Sequence, residues 1–85
     1  MKRKMCPCCG FYTVENDDEV CVDICEVCFW QYDLVAHNKP DISIGANGVA
    51  LNEARRNFQL YGVSERKFIG DVRNPLPEEL PENNQ

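Results

Sequence analysis

Two Cys-x-x-Cys turns, an alternating apolar run between them and one helix-period apolar stripe downstream together predict the fold class. It is a small α+β metal-stapled domain: a zinc-ribbon-like β-hairpin with two cysteine knuckles, packed against one C-terminal amphipathic helix. The turns are Cys6-Pro7-Cys8-Cys9 and Cys25-Glu26-Val27-Cys28, with 15 residues between Cys9 and Cys25. Thiol pairs at this spacing supply four sulfurs to one tetrahedral ion, usually zinc when all four ligands are cysteine. The candidate metal ligands are therefore Cys6, Cys9, Cys25 and Cys28, and the expected cofactor is one Zn2+ per chain. Tetrathiolate sites also accept iron, which the spacing leaves open.

Size explains why a staple is expected. A chain of 85 residues builds one small domain, and a core that size rarely supplies more than about 3–5 kcal/mol. Zinc in a thiolate site contributes roughly 10–16 kcal/mol of apparent binding energy, coupled to folding. Net charge is −5, and four thiolates with one divalent cation take it to about −7. An acidic body binds nucleic acid poorly, because phosphate contacts need clustered Lys and Arg. The opening Met1-Lys2-Arg3-Lys4-Met5 leads into Cys6 without an apolar run, so neither a secretory leader nor a membrane span is expected. A cytoplasmic location follows as the expectation, with reduced thiols rather than three disulfides.

The elements follow in order. Residues 1–5 read as a frayed arm. Phe11-Tyr12-Thr13-Val14 is rich in aromatic and β-branched residues and reads as a strand, followed by the polar turn Glu15-Asn16-Asp17-Asp18-Glu19. Val20-Cys21-Val22-Asp23-Ile24 alternates, with the three apolar side chains on one face. The two runs make the expected hairpin, which brings both knuckles to one end. Phe29-Trp30-Gln31-Tyr32 is expected to roof the metal site. Residues 33–48 carry no periodicity and are punctuated by Pro40, Gly45, Asn47 and Gly48, so an irregular connection is expected.

Residues 49–61 form the predicted helix, with Leu51, Ala54, Phe58 and Tyr61 on one stripe. Asn47 or Gly48 is the expected cap at its start, and Gly62 takes the left-handed position after its end. Arg55, Arg56 and Gln59 face solvent, and Leu60, off the stripe, is expected beneath the returning chain. Phe68-Ile69 and Val72 suggest a short extended segment docked on the helix. Residues 1–73 thus form the domain, and 74–85, rich in proline and acidic or amide residues, a flexible tail.

Within the knuckles, Pro7 pre-sets its own φ and Gly10 permits a positive φ just after Cys9. The second turn carries Glu26 and Phe29 at those places, a weaker match. Cys8 should point away from an ion held by Cys6 and Cys9, leaving it an exposed bystander, and Cys21 is expected as a partly buried small hydrophobe. His37, alone in a polar stretch, is expected to face solvent. A closed tetrathiolate leaves no open coordination position, which argues against metal catalysis. The chain has neither a Gly-rich phosphate loop nor Ser-His-Asp spacing, so the reading is non-enzymatic.

Cys6-Pro-Cys-Cys-Gly10 and Ile24-Cys-Glu-Val-Cys-Phe-Trp30 resemble the bacterial cysteine-rich CPCC family. The similarity extends through Asn47-Gly48, Leu51, Glu53-Ala54-Arg55 and Asn57 to Val72-Arg73 and Pro75. The resemblance implies Cys6, Cys9, Cys25 and Cys28 as metal ligands. It brings no known biochemical activity. The chain departs from the pattern at Glu26, where proline is common, and at Gln31-Tyr32, where acidic residues are usual. The knuckles are also similar to rubredoxin-type modules, which hold iron and carry electrons.

The expected function is a metal-stapled protein-interaction module, with an unidentified protein partner, nucleic acid unlikely and no membrane. The alternatives are a rubredoxin-like iron electron carrier and a thiol redox switch using Cys8 or Cys21.

Overall fold

The structure, a computed structural model, describes residues 3–14, 23–43, 45 and 47–84. They form a small compact domain around a cluster of cysteines. Two α-helices are present among them, α1 (Leu34–Asn38) and α2 (Leu51–Tyr61), with 3-10 turns at Arg66–Phe68, Pro77–Glu79 and Pro81–Asn83.

Pairing of extended backbone is confined to isolated bridges, Lys4 with Val14 and Ile24 with Gln31, both antiparallel. Each closes the ends of its own knuckle. The expected partnership of 11–14 with 20–24 is not found among the described residues, and residues 15–22 lie outside them. The physical reason is local closure: each Cys-x-x-Cys turn reverses the chain and supplies its own opposite strand. Lys4 and Val14 exchange both backbone hydrogen bonds, at 2.7 and 3.1 Å. Arg3 reaches the carboxylate of Glu79 at 2.9 Å. Residues 3–5 are therefore tied down, not a frayed arm.

The connection expected to be irregular contains α1. Asp33 caps it, its Oδ1 accepting from the backbone N–H of Val35 at 2.9 Å and of Ala36 at 3.3 Å. Five residues are too few to display a helical stripe, and an isolated helix this short has no stability of its own. Burial of Ala36, 1% exposed, fixes it to the body.

α2 begins at Leu51, with Ala50 in the cap position and no side-chain cap. The expected caps are used otherwise. Asn47 clamps the backbone of Gln31, accepting from its N–H at 3.0 Å and donating to its carbonyl at 2.9 Å. The free N–H of Asn52 in the first turn of α2 instead finds the carbonyl of Pro40, at 2.9 Å. Gly62 ends the helix at φ 77°, its N–H bonded to the carbonyl of Phe58.

Leu51 and Ala54 are fully buried, whereas Phe58 is half-buried and Tyr61 exposed. Leu60, expected to be covered, stays 66% exposed, because the returning chain descends on the other side to bury Val63 and Ser64. Residues 66–68 form a 3-10 turn rather than an extended segment. Phe58 meets Phe11 edge-on, centroids 6.4 Å apart. Phe58→Ala should cost about 2–3 kcal/mol, below the 3–5 kcal/mol range of a fully buried phenylalanine, as read by denaturant unfolding.

Residues 74–84 do not trail from the body. Glu79 is 1% exposed, and its backbone carbonyl accepts from the N–H of Tyr12 at 2.8 Å. Prolines that read as disorder in composition here open two 3-10 turns. No helix among the described residues is long and apolar enough to cross a membrane.

Candidate metal centre

Each knuckle is built by the same backbone bonds. The N–H of Gly10 donates to the carbonyl of Cys6 at 2.9 Å, as that of Phe29 does to Cys25 at 2.7 Å. The N–H of Cys6 donates to Phe11 and that of Cys25 to Trp30, at 2.8 and 2.9 Å. Such closure needs a left-handed residue after the second cysteine. Gly10 supplies it at φ 84° and Phe29 at φ 68°. For Phe29 that conformation costs about 1–2 kcal/mol. Its ring lies 4.5 Å from that of Phe68, a contact of roughly 0.5–1.5 kcal/mol beyond area burial, which offsets most of the strain.

Facing each other, the knuckles bring the sulfurs of Cys6, Cys9, Cys25 and Cys28 within 4.8 Å of one another. Cys6 and Cys28 stand 3.6 Å apart and Cys9 and Cys25 3.7 Å. A tetrahedral ion with sulfur ligands at about 2.3 Å has edges of roughly 3.8 Å, close to these two separations, so the cluster could hold a metal ion. Trp30 and Tyr32 belong to the same buried cluster.

Four thiols this close cannot all ionise unaided. Hydrogen bonds from Cys28 first, then Cys6, Cys9 and the hydroxyl of Thr13, hold Cys25 well below the usual thiol range. Bonding to the Cys25 sulfur pushes Cys28 and Cys9 upward, as the partners that keep their protons. A cation replaces those protons, so binding releases them and weakens in acid.

Thr13 lies outside every cysteine motif. A backbone bond from its N–H to the carbonyl of Phe11, at 3.0 Å, inserts an extra residue into the first knuckle's closure. Its hydroxyl thereby reaches the sulfur of Cys25 in the other knuckle, at 2.9 Å. Nothing in the cysteine spacing signals this. Thr13→Val should weaken metal affinity roughly 10–100-fold, the usual loss for a partner that orients a ligand, measured by chelator competition.

Arginines hold both knuckles from outside. Arg55, exposed as expected, also donates from Nε to the carbonyl of Pro7 at 2.8 Å. The N–H of Arg73 donates to the carbonyl of Glu26 at 3.0 Å, and the N–H of Ser64 to that of Cys28 at 2.8 Å. Cys8 corrects an expectation: it is 7% exposed and part of the core, not a surface bystander. The turn tucks it under the first knuckle instead of leaving it outside. His37 is exposed, and Cys21 lies outside the described residues.

A family model described as Cysteine-rich CPCC matches residues 4–79. The chain belongs to that family. A search of curated proteins returned no match. The CPCC match starts at Lys4, which closes the first knuckle, and ends at Glu79. It thus takes in both knuckles, both helices and the buried carboxylate. In this CPCC chain Glu26, which stands inside the second turn, points its carboxylate outward to Arg73 at 2.9 Å.

Proposed function

We propose that this protein is a non-enzymatic zinc-binding module, with one Zn2+ held by Cys6, Cys9, Cys25 and Cys28, that presents a surface to a protein partner in the cytoplasm. The observation that carries the reading is the cluster of four cysteine sulfurs within 4.8 Å of one another. Four protein ligands fill the coordination sphere, which suits a structural ion and leaves no position for substrate. When bound, the ion ties the two knuckles together and supplies stability that so small a core lacks.

Support for a partner comes from the C-terminal end of α2, where Leu60 and Tyr61 are 66% and 42% exposed. A separate groove of about 480 Å3 has a mixed lining that includes Phe11, Phe58, Val72, Arg73, Asn74 and Pro75. Exposed apolar surface of this kind marks interaction sites.

Elemental analysis with a visible spectrum tests the metal. A colourless protein with one zinc per chain agrees with the reading; a coloured protein with stoichiometric iron replaces it with an electron carrier. Leu60→Asp tests the surface, since a co-purifying protein should be lost from this variant while zinc is retained.

A further inference from the structure

The two halves of the centre share their backbone bonds but not their cover. Cys6, Cys25 and Cys28 are 1%, 2% and 0% exposed, while Cys9 remains partly open to solvent. The residue after Cys28 is Phe29, closed down by the ring of Phe68. The residue after Cys9 is Gly10, with nothing within 4 Å of where a Cβ would stand. The sulfur of Cys25, by contrast, is gripped by the hydroxyl of Thr13 at 2.9 Å.

From this asymmetry we propose that ligand exchange at the centre begins at Cys9. A competing thiolate or chelator enters beside Gly10, Cys9 is the first sulfur displaced, and Cys25 is the last to let go. The inference rests on the zinc reading and adds how that site is opened. Two physical terms favour this order. An incoming donor must reach the ion, and of the four cysteines Cys9 alone is not buried. A departing sulfur must also be solvated as a thiolate. Cys9 meets water as it swings away, whereas Cys6 or Cys28 would become a buried charge without partners, which costs far more. The exchange balances without redox chemistry. The incoming donor's lone pair makes one metal bond as the bond to Cys9 breaks, and Cys9 leaves as thiolate to take a proton from water.

The test uses the full chain, loaded and verified at one zinc per chain. Brief treatment with iodoacetamide, followed by peptide mass spectrometry, ranks the four sulfurs, and a chromophoric chelator records zinc release in parallel. Cys9 should be alkylated at least roughly tenfold ahead of Cys6, Cys25 and Cys28, in step with release, as leaving a buried polar atom unpartnered implies. Equal rates at the four sulfurs, or earlier modification of any of the other three, overturn the proposal while leaving the zinc reading intact. A preparation that takes up no stoichiometric metal overturns both. Gly10→Phe roofs the opening with the residue that the second knuckle already carries in a left-handed conformation. In that variant, once folded and zinc-loaded, transfer to the chelator should slow several-fold, and an unchanged rate counts against the proposal. The labelling order in the unaltered chain decides independently of how well the variant folds.

Discussion

Cys28→Ser is expected to yield a chain that retains no zinc and shows no cooperative unfolding transition. Cys28 is completely buried, at 3.6 Å from Cys6, so its replacement removes a ligand that no surface group can supply. A serine hydroxyl does not ionise near neutral pH and is a poor substitute for thiolate. The magnitude follows from the comparison that made a staple necessary: roughly 10–16 kcal/mol of metal-coupled stability against about 3–5 kcal/mol from a core of this size. Metal content per chain and thermal melts with and without a strong chelator are the measurements. Cys8→Ser is the control, since Cys8 stands outside the four and its loss should leave the metal count at one. A Cys28→Ser chain that keeps its ion and melts like the parent would refute the staple.

Glu79→Ala carries the second largest effect, a loss of about 3 kcal/mol. Breaking a buried ion pair from one side usually costs 3–5 kcal/mol, and the lower end applies because Arg73 and Arg3 are each about one-third exposed and can partly rehydrate. The carboxylate accepts from Arg73 twice, at 2.8 Å each, and from Arg3 at 2.9 Å. It also accepts from the N–H of Leu76 at 2.8 Å. Substitution removes four hydrogen bonds at once, although Arg73 keeps the Glu26 carboxylate and the Asn74 carbonyl. Urea unfolding of the zinc-loaded proteins gives the difference directly.

The pH dependence has a definite sign. The hydrogen bonds from Arg73 hold the Glu79 carboxyl below the usual range against the opposing effect of burial. Its contribution is therefore fully present above the unfolded carboxylate value of about 4.3 and disappears as pH falls through the lower folded value. Measured against Glu79→Gln, the stability difference should be flat from about pH 5 to 8 and shrink in more acid solution. A difference that grows on acidification would reverse the assignment.

What could be read from the residues alone divides along physical lines. The four clustered cysteines were legible because turn geometry and ligand spacing are both local. α2 was legible because eleven residues are enough to display a stripe, and Gly62 because only a left-handed residue closes such an end. α1 was not, since its five residues are organised by Asp33 and by burial of Ala36 rather than by period. Residues 74–84 misled for a related reason. Proline and acidic composition speaks of weak burial, yet the anchoring of this segment is ionic and depends on arginines 76 and 6 positions away. Thr13 and Arg55 escaped notice because each acts on a knuckle remote in sequence, through a contact that only the folded chain creates. Leu60 was placed beneath the returning chain because it stands off the apolar stripe, yet it is exposed while Val63 and Ser64 are buried.

The position of Glu79 has a consequence for how the molecule is born. A ribosome delivers both thiol turns well before it reaches that carboxylate, so ion capture can come early in synthesis. Until residue 79 emerges, the guanidiniums of Arg3 and Arg73 lack their shared counter-charge, and the last clasp between the two ends of the chain is not yet made.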